Sequence, residues 1–107
     1  MPEMHFRVEW PNGRVDNCYS PSWVIEEHLV VGEAYPVSEF VARAKNALEI
    51  GSERVRAKYG FACSSALDQL RSIEETAESL VPADRESGRV KVLAFDKHEP
   101  RNPKKAG

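Results

Sequence analysis

The chain has 107 residues, 41% of them hydrophobic and 30% charged, the profile of one ordinary globular domain with a single modest core. A net charge of -2 argues against the bulk electrostatic attraction on which nucleic-acid binders rely. No apolar run is longer than a few residues, which excludes a membrane-spanning helix.

The opening MPEMHFRVEW alternates. Met4, Phe6, Val8 and Trp10 share one side, and Glu3, His5, Arg7 and Glu9 the other, the pattern of a half-buried strand over residues 3–10. This opening has no basic start followed by an apolar block, so no secretory signal is read there. The expectation is a cytoplasmic protein in which Cys18 and Cys63 are reduced thiols. Asn12-Gly13 follows, a strong hairpin signal because both residues tolerate positive φ. A two-residue loop sets Trp10 opposite Val15, Val8 opposite Asn17 and Phe6 opposite Tyr19, with a return strand over 14–19. That register places His5 and Cys18 on the outer face, too few ligands for a metal site.

Ser20 and Pro21 read as the cap and first turn of a short helix over 22–28, ended by Gly32 and Pro36. Ser38 is read as the cap of a long helix over 39–59. Its stripe is Val37, Phe40, Val41, Ala44, Leu48, Gly51, Val55 and Tyr59. A mid-helix glycine costs roughly 1 kcal/mol, so Gly51 points to another backbone passing close by. Arg43 and Arg54 flank this stripe. They read either as side chains snorkelling over the core rim or as a cationic groove for an anion. Gly60 suits the left-handed residue that ends the helix. A second helix over 65–80 carries Leu67, Leu70, Ile73, Ala77 and Leu80, with Pro82 helping to end it. A last strand over 89–95 follows, with Val90, Val92 and Ala94 on one face. The expected fold is α+β: a β-hairpin, a short helix, a two-helix hairpin and a final strand. The three strands form an antiparallel sheet with strand 1 in the middle and the helices on one face. Residues 1–96 make the domain, and 97–107 a disordered basic tail in which four Lys/Arg stand against Glu99.

Chemistry-bearing residues are sparse. In GFACSSALDQL (residues 60–70) Cys63 precedes a helix start, where the dipole can lower a thiol's pKa, and His28 is the candidate base. The simpler reading of the same stretch is a turn and cap, with Ser65 and Asp68 as a variant capping box and Cys63 a small buried residue. Cys63 and His28 are therefore the candidates for catalysis. His5, Arg7, Cys18, Arg43 and Arg54 are the candidates for binding. No metal-ligand spacing, phosphate loop or dinucleotide fingerprint is present, so neither metal nor cofactor is expected. Trp10, Trp23, Tyr19, Tyr35 and Tyr59 are many large side chains for so small a fold; they read first as core residues, with a shared interface as the alternative for part of the set.

Four stretches carry a family resemblance: MPEMHFRVEWPNG, CYSPS, YPVSEFVARAKNAL and SERVRAKYGFACSSALDQL. Across residues 1–96 the chain resembles the nitrogen starvation response protein family, a small bacterial family. The resemblance implies production under nitrogen limitation. It also implies genes beside those of a nitrilase, a radical-SAM protein, an acetyltransferase and a flavoprotein. It carries over no catalytic residue. The expected role is a non-enzymatic accessory or binding protein that meets a nearby pathway enzyme or its intermediate, as a homodimer. The alternatives are a small enzyme using Cys63 and a module that recognises a peptide at an open sheet edge.

Overall fold

The structure, a computed structural model, describes residues 3–60 and 64–97. Strand β1 (Met4–Glu9) turns into β2 (Val15–Ser20), and a 3-10 turn (Trp23–Glu27) leads to β3 (Ala34–Pro36). Helix α1 (Val37–Tyr59), α2 (Ser64–Ser79) and α3 (Pro82–Ser87) follow, and β4 (Arg89–Lys97) closes the chain. The fold is α+β, and its antiparallel sheet has four strands in the order β2-β1-β4-β3. Strand 1 is interior as expected, flanked by β2 and β4.

The fourth strand is the three-residue β3, paired with Arg89–Lys91 of β4. Pro36 hides it in the sequence, since proline donates nothing to a ladder, but an edge strand tolerates it. The Tyr35 hydroxyl accepts a hydrogen bond from the Val30 amide at 3.1 Å and ties the preceding turn to this edge. Pro82 starts α3 rather than only ending α2, as proline suits a first helical position.

The hairpin register differs from expectation by one residue. Phe6 opposes Cys18, Val8 opposes Asp16 and Met4 opposes Ser20. The loop has three residues, Pro11 to Gly13. The Trp10 amide donates to the Arg14 carbonyl, and Gly13, at φ +89°, donates to the Trp10 carbonyl. A two-residue loop would have held Pro11 in the ladder, where it lacks the N–H to donate. The longer loop takes Pro11 out of the ladder and uses Gly13 in the left-handed position. A one-residue slip exchanges the two faces of a strand. Cys18 is therefore an interior residue and Val15 is half exposed at 50%, the reverse of the expected arrangement.

A second irregularity settles the last strand. The register of β1 against β4 shifts between Arg7, opposite Ala94, and Val8, opposite Val92. Leu93 is the extra residue of a bulge. Val90 and Val92 face the core before it, and Phe95 faces Phe6 after it. Ala94 is exposed, not inward.

Helices α1 and α2 cover the sheet face that carries Met4, Phe6, Val8 and Trp10, in one continuous core with Phe40, Leu48, Leu70 and Ile73. Burial of such side chains stabilises by about 1.5–3 kcal/mol each. The Trp10 ring meets Phe40 edge-on at 5.4 Å, and its indole N–H donates to Asp16 at 3.0 Å. The α1 stripe is buried from Val37 to Ser52; beyond it Val55 is half-buried and Tyr59 exposed. On α2, Ala66 rather than Leu67 is buried. Gly51 does meet a neighbouring segment closely, though through side-chain atoms rather than the expected backbone. A Cβ there would lie 3.0 Å from Pro21 Cγ and 3.6 Å from Ser22 Cβ. Gly60 ends α1 in the left-handed conformation, its amide donating to the Arg56 carbonyl at 2.8 Å. Helix α1 begins at Val37 after Pro36, with no side-chain cap, so Ser38 sits inside the first turn. Ser22, not Ser20, caps the 3-10 turn, accepting from the Val24 amide at 3.3 Å.

Candidate functional site

The helices lie on one side of the sheet, so the other side is an open surface. Alternation from Met4 to Glu9 places His5, Arg7 and Glu9 there. The register brings Val15, Asn17 and Tyr19 of β2 alongside on one flank, and Lys91, Ala94 and Asp96 of β4 on the other. His5 stands between Tyr19 and Asp96, its ring edge-on to Tyr19 at 5.8 Å. Glu9 stands between Val15 and Lys91, so its charge has an opposite sign across the ladder. Arg7 differs. It is exposed, its cross-strand neighbours are Asn17 and Ala94, and it forms no ion pair among the described residues. The centre of the face is thus a cation beside a small residue, with an aromatic pair at one end and half-exposed Val15 at the other.

The other residues singled out from the sequence lie elsewhere. Cys18 was expected beside His5 on the outer face but is 1% exposed in the core. Burial, and then the nearby Asp16 carboxylate, push its thiol up from 9.0 to about 12, against a smaller opposing effect of Arg14. Such a thiol stays protonated and is a poor nucleophile and metal ligand at neutral pH. Arg43 lies over the Tyr35 ring at 4.7 Å, donates to the His28 carbonyl at 2.9 Å and pairs with Glu39 at 3.1 Å. Arg54 donates to the Ser22 hydroxyl at 3.2 Å. Three turns apart on α1, the two arginines grip the ends of the segment 22–28. They fasten the 3-10 turn to the helix, with Gly51 between them providing the close approach. His28 is half-buried at the end of that turn, its amide donating to Ile25. Cys63 lies outside the described residues, as does the basic tail beyond Lys97.

The edge strand β2 is partly guarded. The Tyr19 amide, which points away from β1, donates to the Gln69 side chain of α2 at 2.9 Å. A side-chain acceptor at an edge amide blunts strand addition there. Nothing in the sequence pattern singled out Gln69, which sits among the polar positions of α2; only the packing of α2 against β2 reveals it. No group of three or more His, Cys, Asp or Glu able to hold a metal ion occurs among the described residues. No described helix is long and apolar enough to cross a membrane.

Comparison with curated proteins gives no match, and comparison with solved structures gives none either. Comparison with known families does: residues 5–95 match the family described as nitrogen starvation-induced protein NitG. The matched span runs from the second residue of β1 to Phe95, beyond the bulge of β4, and includes every element between them. The chain belongs to the nitrogen starvation-induced protein NitG family.

Proposed function

We propose that the protein is a non-catalytic accessory or binding protein of the nitrilase-associated nitrogen-metabolism pathway, and that it docks a pathway enzyme through the open face of its sheet. The observation behind this reading is Arg7, exposed at the centre of that face between Asn17 and Ala94. A cation in that setting favours a carboxylate on the partner, while Tyr19 and Val15 offer the aromatic and apolar contacts that interfaces use. The buried, protonated Cys18 supports a binding role over a thiol enzyme built on the hairpin. A second copy of the chain is the alternative occupant of the same face.

The test is capture from nitrogen-starved cells with tagged wild type and an Arg7→Glu variant side by side. The expected result is a pathway enzyme retained by wild type and lost from Arg7→Glu, with the oligomeric state of the isolated protein unchanged by the substitution. A concentration-dependent dimer abolished by Arg7→Glu would assign the face to self-association instead. Equal capture by both proteins would refute the assignment to this face.

A further inference from the structure

A cleft of about 320 Å³ opens in the helix layer, away from the sheet's free face, where the start of α1, the end of α2 and α3 converge. Its floor is apolar: Val37 and Val41 from successive turns of α1 and Ala77 from α2. Its rim is charged. Glu74 and Glu78 stand one turn apart on the same side of α2, and Arg85 projects from α3. A cavity at the lower end of the usual ligand-pocket size range, with an apolar lining and few convergent polar groups, suits a small molecule.

The charges of this rim are not spent on one another. Neither Glu74, Glu78 nor Arg85 forms an ion pair among the described residues. Carboxylates at i and i+4 repel each other. Glu74 is half-buried, so part of its hydration is already lost. A cation placed between the two carboxylates relieves both penalties, and Arg85 is left to take an anionic group of the same ligand. An apolar floor with both charge signs on its rim matches a small zwitterion that carries its two charges together and a hydrocarbon body beside them.

We infer that this cleft binds a small zwitterion of the apolar amino-acid class: its ammonium held by Glu74 and Glu78, its carboxylate by Arg85, and its hydrocarbon body on Val37, Val41 and Ala77. The site is independent of the docking face, so either assignment can stand without the other.

The experiment is an amide NMR titration of the full chain with three probes of matched size. L-leucine carries both charges, isoamylamine only the cation and 4-methylpentanoate only the anion. Saturable shifts at the amides of Val41, Ala77 and Glu78 with leucine are expected. Each single-charge probe should bind roughly tenfold or more weakly, because it forgoes one set of charge-assisted hydrogen bonds. Glu74→Gln combined with Glu78→Gln should bring leucine down to the affinity of 4-methylpentanoate, and Arg85→Gln should bring it down to that of isoamylamine. Unchanged unfolding midpoints will show that the variants keep the fold. Absence of saturable shifts, equal affinity for leucine and isoamylamine, or insensitivity to the glutamate changes would each overturn the inference.

Discussion

The position of Cys18 makes an alkaline unfolding experiment decisive for the hairpin register. In the fold the thiol is 1% exposed and holds its proton up to about pH 12, against 9.0 for the ordinary group. Above pH 9.0 the unfolded thiol releases its proton and the folded one does not, so the unfolded state binds fewer protons and stability falls as pH rises. The contribution is fully present below pH 9.0 and is lost progressively up to the folded value near 12. One pH unit corresponds to about 1.4 kcal/mol, so the loss at pH 10 is about 1.4 kcal/mol. By pH 12 it would be on the order of 4 kcal/mol, if the fold survived so far. Urea unfolding of Cys63→Ser and of Cys63→Ser with Cys18→Ala, at pH 7.5, 9 and 10, separates the Cys18 contribution from other alkaline titrations. The alanine variant starts less stable by a constant amount, since a buried atom is removed. The gap should narrow by about 1.4 kcal/mol between pH 7.5 and 10. In the Cys63→Ser protein a thiol reagent should modify Cys18 only as fast as the structure opens. Parallel stability curves together with rapid labelling of the native protein would place Cys18 on the surface and refute the register.

Two further predictions follow from packing. A Cβ on Gly88 would lie 2.4 Å from the Asp84 carbonyl oxygen and 2.5 Å from Pro11 Cβ. Gly88→Ala should therefore lower stability by about 1–3 kcal/mol, the usual cost of overpacking, read from the urea midpoint. An unchanged midpoint would mean that α3 does not abut the hairpin loop. Arg43→Met keeps most of the stem but loses the hydrogen bond to His28 and the contact over Tyr35. It should cost about 1–2 kcal/mol and speed amide exchange in residues 22–28, while exchange in β1 tracks global stability alone. Uniform acceleration everywhere would show that Arg43 does not fasten that segment.

Elements legible in the sequence were those whose signal is local. Alternation from Met4 to Trp10 made β1 visible, because a strand that faces a core on one side must alternate. The stripe from Val37 to Leu48 and that from Leu70 to Leu80 made α1 and α2 visible, because each helix buries one face. Gly60 marked the end of α1, and Gly51 marked the approach of Pro21 and Ser22, because a glycine in a helical stripe has a cost that packing offsets. The family resemblance carried by four stretches pointed to nitrogen starvation, and the match over residues 5–95 bears this out.

What depended on the tertiary structure was pairing: which face a strand shows after a shift of register, and which neighbour each charge meets. Asn12-Gly13 promised a hairpin, but Pro11 displaced the loop by one residue, and a strand of period 2 turns that displacement into an exchange of faces. Cys18 went inside for that reason, and Val15 went out. The bulge at Leu93 re-aims Phe95 in the same way. Strand β3 is only three residues long, so it has no periodicity to read; it exists because β4 offers it an edge. Arg43 and Arg54 look alike in the sequence to any pair of surface cations, and only the course of residues 20–28 over α1 makes them fasteners. The open face around Arg7 and the cleft beside Glu74 are likewise products of assembly. Local propensity sets where a helix or strand runs, whereas which charges find partners is decided by distances that exist only in the folded chain.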